Sequence, residues 1–445
     1  MTPRHDAPWA AAAGPFSGGD SVVHDLGPGR SLLFAGSLLL GWVSVNPFAS
    51  LSDARWLDPN NAGDVLNQVA YLILGACAAV FLMRRPQFAR LLLRPAYGFM
   101  LAWLLVSVAT SDQTLLSARR LIFMTFVVLL GAVTPLLPRN RQHFCDLIGG
   151  VTVAVLVLCY VGVALAPDLA VHQATDLVEP RLAGNWRGIF SHKNIAGEMM
   201  GIFVFVGIYV AGVRSAAAGW SIIVAAVVFL MFTEAKAAVA FLPLILALVW
   251  TARSGWALGL RLGLFFATLL MLSVVTIGSL SSPVIKSVVD QALSDPTFTG
   301  RTEIWQLAID WFWKRPLFGF GYGAFWQTDQ VMYFTPLNED GAALADHAHN
   351  AVLNLAVTTG VPGVLLALVW AVVLPCRDFA RCLRAGADVA TMNLFLRIWA
   401  FAIANCAFES ILFGRGDPMW FTMLMAMFGL RFLSVCRLGE EEGGR

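Results

Sequence analysis

The stretch AGEMMGIFVFVGIYVAGV at residues 196–213 contains one charged residue, Glu198, and is long enough to cross a bilayer as a helix. Apolar residues make up 58% of the chain and charged residues 13%, and the mean hydropathy is +0.71. A water-soluble core cannot bury so much apolar surface, whereas lipid accommodates it when the backbone is helical. The sequence therefore predicts an all-α polytopic membrane protein.

Runs of the same kind recur along the chain and predict about twelve transmembrane helices. They fall at residues 31–48, 65–83, 95–110, 121–137, 147–166, 196–213, 217–232, 237–252, 262–280, 360–376, 395–413 and 418–435. The predicted organisation is a disordered tail at 1–30, transmembrane helices within 31–280, a large loop at 281–350, further transmembrane helices within 351–437 and a mobile tail at 438–445. The loop far exceeds an ordinary connection, so it has room for short helices and a site.

Lysine and arginine in the loops predict the orientation of these helices. One set of alternate loops carries many arginines: Arg84, Arg85, Arg90, Arg94, Arg139, Arg141, Arg214, Arg253, Arg377, Arg381 and Arg384. This set is expected in the cytoplasm, which places both termini there. The opposite, outer face then holds two loops long enough for a site, 167–195 and 281–350. The net charge of +2 gives no bulk electrostatic argument for a nucleic-acid partner.

The first outer loop ends in RLAGNWRGIFSHKN at residues 181–194, directly before a predicted helix. Cations beside a helix N-terminus form a natural anion site, because backbone N–H groups there are unpaired. Glycines let these donors converge with the charges. The candidate residues are Arg181, Arg187, His192, Lys193 and Asn194. The alternative is a polar cap at the level of the lipid headgroups.

The second outer loop contains a predicted amphipathic helix at 302–313, which Arg301 precedes and Pro316 stops. A sharp turn is predicted at 319–323, where three glycines alternate with aromatic residues. The loop closes with DHAHN at residues 346–350, directly before the chain re-enters the membrane. This histidine-containing segment is therefore expected at the lipid boundary.

His349 is the candidate general base, since an imidazole accepts a proton near neutral pH and a neighbouring carboxylate can fix its tautomer. Asp346 is adjacent in sequence, and His347 and Asn350 are candidate supporting residues. Two other interpretations stay open. The histidine can be merely solvated, or His347 and His349 can ligate zinc from one side of an extended segment. No third ligand is obvious from the sequence, so we predict no metal site.

Several charged residues lie within or near the predicted spans, where such residues usually face the bundle interior. Glu198 follows the 187–194 segment by one helical turn and is a candidate to orient an arginine. Glu234 and Lys236 lie at an outer turn, where they can pair or contact an anionic ligand. Glu409 is a further residue of this kind. All of them rank below the arginines and the histidine of the two loops.

Four motifs occur in an order that resembles one known family. They are RGIFSHKN at 187–194, Gly300-Arg301 with Trp305, PLFGFGYG at 316–323, and HAHN at 347–350 with GVPG at 360–363. Together they resemble the O-antigen ligase and O-antigen polymerase superfamily of bacterial envelope glycosyltransferases, most strongly over about 181–375. The first motif is most similar to the exopolysaccharide polymerase branch, of the kind that polymerises succinoglycan-like repeats.

The resemblance implies a GT-C-like fold in the bacterial inner membrane, with its active site facing the periplasm. The donor glycan would be carried on undecaprenyl pyrophosphate and transferred to a sugar hydroxyl with inversion, without a metal, nucleotide or other cofactor. Arg187 and Arg301 would bind the pyrophosphate, and His349 would be the base or position the acceptor. Many members have a Ser-Arg/Lys-Thr turn where this chain has Glu234-Ala-Lys236-Ala, so only the cation of Lys236 carries over.

The chemistry agrees with this interpretation. Pyrophosphate is a good leaving group, so the main task is to stabilise its growing charge, which arginine does with a planar, permanently charged set of donors. The predicted donor-binding residues are Arg187, Arg301, Lys193 and Lys236, with His349 catalytic. No paired carboxylates stand out, which argues against a glycoside hydrolase.

The predicted function is a membrane glycosyltransferase: an exopolysaccharide or O-antigen polymerase that joins lipid-linked repeats. Its partners would be a lipid-linked oligosaccharide donor, a glycan acceptor, membrane lipids, a chain-length regulator and export machinery. The nearest alternative is an O-antigen ligase that moves glycan to lipid A core or protein. A transporter of polysaccharide or lipid-linked sugar is a different class, which predicts paired broken helices in two similar halves. No such symmetry is visible in the sequence.

Overall fold

The computed structural model describes residues 27–45, 47–48, 50–51, 65–177, 179–250, 258–292, 296–298, 300–334 and 345–435. Over these ranges the ordered elements are helical, and one isolated β-bridge joins Val171 to Trp186. The predicted all-α class is therefore confirmed. The tail predicted at 438–445 lies outside the described residues, and so do residues 1–26 of the predicted N-terminal tail. From Gly27 onward that tail is already helical.

Nineteen α-helices follow one another along the described residues. They are α1 (Gly27–Val43), α2 (Val65–Met83), α3 (Pro86–Leu92), α4 (Pro95–Ala109), α5 (Thr114–Val133), α6 (Arg141–Leu165), α7 (Pro167–Ala170), α8 (Lys193–Val213), α9 (Ala216–Thr233), α10 (Lys236–Trp250), α11 (Leu258–Thr276), α12 (Gly278–Ser281), α13 (Pro283–Ala292), α14 (Arg301–Phe312), α15 (Asp329–Phe334), α16 (Ala351–Leu368), α17 (Leu374–Ala385), α18 (Val389–Asn405) and α19 (Pro418–Val435). Two 3₁₀ turns, Thr134–Leu136 and Pro180–Leu182, and a π-helical stretch, Val369–Val373, are also present. Each predicted apolar run falls on at least one of these helices.

Eight helical segments among the described residues are long and apolar enough to cross a membrane, or nine if the bent pair α3–α4 forms one span. Helices α10 and α18 are apolar but shorter. The chain is thus a polytopic membrane protein, while the total of about twelve spans stays a prediction. The spans α8 and α19 are the most enclosed of these, with 78% and 89% of an 18-residue stretch of each buried inside the protein. They form the centre of the bundle.

The loops gather at two ends of the bundle. At one end, termed the basic end, Arg141 Nη1 lies 2.8 Å from Asp388 Oδ1. At the opposite end, termed the site end, Ser117 Oγ donates to the carbonyl of Tyr322 at 2.8 Å. The arginine-rich loops meet at the basic end and the two long loops at the site end, as far as the described residues extend. As predicted, the arginine-rich loops and the two long loops lie at opposite ends of the bundle. Which end faces the cytoplasm stays a prediction.

Helix α16 is kinked at Gly360, which has a φ of 69° that side-chain-bearing residues rarely adopt. The kink lets the glycine turn of the long loop lie against the helix backbone. Phe320 N–H donates to the carbonyl of Val357 at 3.0 Å, and a Cβ on Gly360 would lie 2.1 Å from the carbonyl oxygen of Leu317. The predicted sharp turn is present, with positive φ at all three of its glycines.

The carbonyl groups near the kink find donors on the neighbouring helix α4. Trp103 Nε1 donates to the carbonyl of Thr359 at 2.8 Å, and Ser107 Oγ donates to that of Thr358 at 3.2 Å. Unsatisfied backbone groups are costly at membrane depth, so these donors make the broken helix tolerable. They also fix α4 against the base of the long loop.

The predicted amphipathic helix is α14. Its side chains Trp305 and Trp311 are 0% and 5% exposed. Trp311 packs against Phe320 of the glycine turn, and Trp305 packs against Phe298 and Phe408. Trp313, directly after the helix, is 70% exposed. The long loop therefore has a small apolar core of its own, which holds Arg301 at the start of α14 over the bundle.

Gly360→Ala is expected to destabilise the protein, whereas Gly98→Ala in α4 is a matched change expected to have little effect. Gly360 has a φ of 69° and a ψ of −177°, a combination that essentially only glycine adopts. A Cβ there would also clash with the carbonyl oxygen of Leu317, while no heavy atom lies within 4 Å of a Cβ at Gly98. The backbone term alone costs about 1–3 kcal/mol. Thermal unfolding in detergent should show a lower midpoint for G360A only. Equal midpoints would contradict the close approach of loop and helix.

Candidate active site

Three segments that are far apart in the sequence meet at the carboxylate of Glu409. Arg301 Nη2 lies 2.7 Å from Oε1, and His349 Nδ1 lies 3.1 Å from Oε2. Asn194 Nδ2 donates to Oε1 at 2.8 Å. The Glu409 side chain is only 14% exposed, so its charge depends mainly on these protein partners. The two long loops are thus joined by one carboxylate.

Glu409 reaches this position because α18 ends earlier than the apolar run 395–413 predicts. The helix ends at Asn405, and the chain then forms turns. The carbonyl of Cys406 accepts from the N–H of Ala351 at 2.9 Å, so the end of α18 supports the start of α16. The predicted run is therefore wrong at its C-terminal end. Hydropathy alone cannot predict that the backbone at Cys406 forms a hydrogen bond with the start of α16.

His349 has the geometry of a general base. Its Nδ1–H donates to Glu409, which leaves Nε2 free to accept a proton. Burial lowers the pKa of His349 and the charge of His347 lowers it further, although Glu409 raises it, so the ring is neutral at pH 7. The φ of His349 is 46°, a strained value for a residue other than glycine that is typical of functional sites.

The segment around His349 is held by its neighbours. The backbone N–H of His349 donates to Nδ1 of His347 at 3.1 Å. Asn350 caps α16 through its side-chain oxygen and donates from Nδ2 to the carbonyl of Ala407 at 3.1 Å. Asn350 thus fastens the histidine segment to the segment of Glu409, while His347 holds the backbone of His349 within the histidine segment.

Arg301 is the first residue of α14 and follows Gly300, which has a φ of 79°. Its guanidinium lies 5.8 Å from the centroid of the Phe408 ring. The Arg301 side chain is 17% exposed, and its Nε has no hydrogen-bond partner among the described residues. Arg301 therefore keeps donors for an anion beyond its ion pair with Glu409.

The first long loop reaches the cluster through the N-terminus of α8. His192 Nδ1 accepts from the backbone N–H of Asn194 at 3.1 Å, so Nε2 carries the proton that donates to Glu179 at 2.8 Å. Burial would raise the pKa of Glu179, but the hydrogen bond from His192 and the charge of His349 help bring it down to about 2. Glu179 is therefore an ionised group within electrostatic range of His349.

Lys193 and Lys236 begin α8 and α10 beside this cluster. Lys193 Nζ lies 3.3 Å from the carbonyl oxygen of Glu234. With the Asn185 amide oriented to satisfy both neighbours, its oxygen accepts from Lys193 at 3.0 Å and its nitrogen donates to Glu234 Oε2 at 3.1 Å. The charges of Lys236 and Arg301 both act on Lys193. Lys193 is thus within electrostatic range of two other predicted donor-binding cations, Lys236 and Arg301.

Arg187 lies in a different environment. Its side chain is 1% exposed, and Nη1 donates to the carbonyl of Phe190 at 3.0 Å. Burial lowers the pKa of Arg187. Arg181 is exposed, and its guanidinium nitrogens lie 3.9 and 4.0 Å from the position that a Cβ on Gly300 would take. The structure therefore places Arg181, and not the side chain of Arg187, next to the start of α14.

Glu198 lies one turn after Asn194 inside α8. Its side chain is buried, and Oε1 has no hydrogen-bond partner in the described part of the chain. The charges of Glu409 and Arg301 both act on Glu198. This carboxyl group thus lies beneath the cluster, and the arginine-orienting role predicted for it stays a prediction.

Asp346, His347 and His349 form a group that could hold a metal ion. One potential ligand atom of each lies within 4.8 Å of the others. Asp346 is the third ligand that the sequence did not make obvious, because a bend brings its Oδ1 to 3.5 Å from Nε2 of His347. Since Nδ1 of His349 is bonded to Glu409, a metal would take Nε2, the nitrogen that base catalysis needs.

Glu409 is the residue that sequence reasoning undervalued. It ranks below the loop cations in the prediction, yet it joins Arg301, His349 and Asn194. One signal was available, because a carboxylate at the end of an apolar run needs a cationic partner. Which cation it pairs with depends on folding of the long loop, and hydropathy carries no information on that.

Two comparisons with known proteins bear on this site. Residues 199–368 match the model of the O-antigen ligase family. The exopolysaccharide production protein ExoQ of Rhizobium meliloti (strain 1021) is 28% identical over 221 residues, which cover 47% of this chain and 50% of ExoQ. The match thus spans about half the length of this curated relative. The predicted resemblance is confirmed, since residues 199–368 are similar to the O-antigen ligase family.

Proposed function

We propose that this chain is an exopolysaccharide polymerase that transfers glycan from undecaprenyl pyrophosphate to a hydroxyl of a second lipid-linked repeat. The observation that carries the proposal is the joint contact of Arg301 and His349 with the buried carboxylate of Glu409. The similarity to ExoQ, an exopolysaccharide production protein, favours this product class. The proposal places the chain in the bacterial inner membrane, with the site end in the periplasm and both termini in the cytoplasm.

His349 would act as the general base. Its Nε2 accepts the proton of the acceptor hydroxyl, and the freed oxygen bonds to the anomeric carbon as the bond from that carbon to the pyrophosphate oxygen breaks. Attack from the side opposite the leaving group inverts the configuration. Glu409 holds the tautomer that makes Nε2 available and stabilises the imidazolium that results.

The cations would stabilise the leaving pyrophosphate. Arg301 offers a planar set of donors, and Lys193 and Lys236 add charge from the first residues of α8 and α10. Because three helices begin at these cations, their N-terminal N–H groups add partial positive charge. Arg187 contributes its charge from a buried position in the first long loop. No metal, nucleotide or other cofactor enters the proposal.

An O-antigen ligase is the second candidate, and the name of the matching family favours it. The same base and cations would serve a ligase, since only the acceptor differs: lipid A core or protein in place of a second lipid-linked repeat. A chain-length regulator and export machinery are partners expected of the polymerase only.

Reconstitution in liposomes with an undecaprenyl-pyrophosphate-linked oligosaccharide, a chelator and no nucleotide is expected to yield longer glycan chains, resolved by mass spectrometry. His349→Ala should insert normally and lose roughly 10²–10⁴-fold in turnover. Transfer only to added lipid A core would make the chain a ligase. Movement of glycan without new bonds would make it a transporter and reject the proposal. Loss of activity on chelation would reject the metal-free mechanism.

Glu409→Gln is expected to lower kcat by about 100-fold, because the amide neither neutralises Arg301 nor holds His349 as a carboxylate does. Asp310→Asn on the exposed face of α14 is the matched control and should retain wild-type kcat. Insertion and monodispersity are checked by size-exclusion chromatography. Wild-type kcat in E409Q would remove Glu409 from the mechanism.

The turnover of the wild type is expected to be constant above pH 7 and to fall as the pH drops below 6.5. The sign follows from His349, whose pKa lies below its usual value, so the ring becomes protonated and inactive only in more acidic solution. In E409Q the acidic limb should move to lower pH, because the negative charge that raises the pKa of His349 is gone. If the acidic limb of the pH profile lies at the same pH in E409Q and in the wild type, the group that titrates is not His349.

A further inference from the structure

Three arginines at the site end take no part in the proposed mechanism. Arg119 and Arg120 lie near the start of α5, and Arg415 lies in the turns that precede α19. Arginines on this face break the charge rule that orients the helices, so their presence calls for a physical reason.

Gly323 brings Arg120 and Arg415 together, and Arg119 is the neighbour of Arg120 in the sequence. Arg120 Nη1 donates to the carbonyl of Gly323, and Arg415 Nε lies 4.0 Å from the position that a Cβ on Gly323 would take. Tyr322 fixes this corner, since its hydroxyl donates to the carbonyl of Phe413 at 2.9 Å. The charges of Arg119 and Arg415 both act on Arg120.

Among the described residues, these three arginines have no ion-pair partner of the kind that other arginines of the protein have. Arg301 pairs with Glu409, and Arg315 lies 2.9 Å from Asp112. Within the described residues, no carboxylate forms an ion pair with Arg119, Arg120 or Arg415. Like charges held together repel one another, so an external anion would stabilise the group in addition to Asp346, whose charge acts on Arg415.

Donors are also left over in the group. Arg120 Nε is buried and has no hydrogen-bond partner in the part of the chain that the structure describes. Arg119 and Arg415 are solvent exposed, so a ligand can reach them. Burial nevertheless lowers the pKa of Arg415. The group therefore combines an unused buried donor with two accessible charges.

We propose that Arg119, Arg120 and Arg415 form a second anion site, which binds the diphosphate of the acceptor, the second lipid-linked glycan. The assignment rests on the proposed polymerase function. Planar guanidinium groups bind phosphate oxygens in pairs, and three of them match a dianionic or trianionic headgroup.

The position of the group relative to the base supports the acceptor role. Arg415 lies on the same run of turns as Glu409, six residues further on. The charge of Asp346, next to His347, acts on Arg415, while the charge of Arg301 acts on His349. The histidine segment is thus in electrostatic contact with both cationic groups. A polymerase needs this arrangement, because two lipid-linked diphosphates must approach one base.

The test counts undecaprenyl pyrophosphate molecules bound to the full chain in phosphatidylcholine nanodiscs by native mass spectrometry. The wild type should bind two. Arg415→Gln should weaken the second by about tenfold or more and keep the first, since a hydrogen bond to a charged group contributes about 1.5–3 kcal/mol. Lys286→Gln, which removes an exposed cation on α13, is the matched control and should bind two. If the Arg415 variant does not fold, Arg119→Gln, at an exposed position, is used in its place and should weaken binding of the second molecule.

One molecule bound to the wild type, or two bound with unchanged affinity to the Arg415 and Arg119 variants, would overturn the second site. Displacement of the second molecule by phosphatidylglycerol would overturn the acceptor assignment, whereas competition by inorganic pyrophosphate alone would support it. Chain elongation by R415Q with an unchanged acceptor KM would reject this site and leave the proposed function intact. Two molecules bound without any elongation would reject the polymerase and leave the anion site.

Discussion

A nearly buried carboxylate is the constraint on which the candidate site depends. Burial alone would raise the pKa of Glu409, but its partners His349 and Arg301 hold that pKa well below its usual range. The protein supplies these partners, with Asn194, from segments that are distant in the sequence. The Glu409 carboxylate therefore orients the guanidinium of Arg301 and fixes the tautomer of the His349 imidazole. The mutual arrangement of the two long loops and the orientation of the Arg301 and His349 side chains therefore depend on the same carboxylate.

The helices were predictable because hydropathy measures the transfer of a segment into lipid, and the apolar runs of this chain are long. Their ends and kinks were not. The run at 395–413 extends past Asn405, since the helix ends where its backbone bonds to α16. The kink at Gly360 needs donors from α4, and burial of Trp305 needs the folded loop. Such features depend on neighbours that a window along the sequence does not contain.

The candidate site was predictable as a set of residue types near two loops. Cations beside helix starts and a histidine at the lipid boundary indicated an anion-handling site before any contact was known. The sequence did not show which member of the set occupies which position in the folded site. Arg187 and Arg301 look equivalent in sequence, yet one is enclosed by its own loop and the other faces the shared carboxylate. Glu409 gains its importance only through tertiary contacts.

The glycine turn that lies against the kinked helix α16 limits how the long loop can move. Backbone hydrogen bonds from Phe320 and Gly321 to Val357 and Thr358 fasten the stem of the loop to a transmembrane helix at main-chain level. Such a stem is a fixed anchor and not a hinge, because moving it would break bonds that no water at membrane depth could replace. The base of the long loop and helix α16 therefore keep a fixed register relative to each other, and any movement of α16 would carry the glycine turn with it.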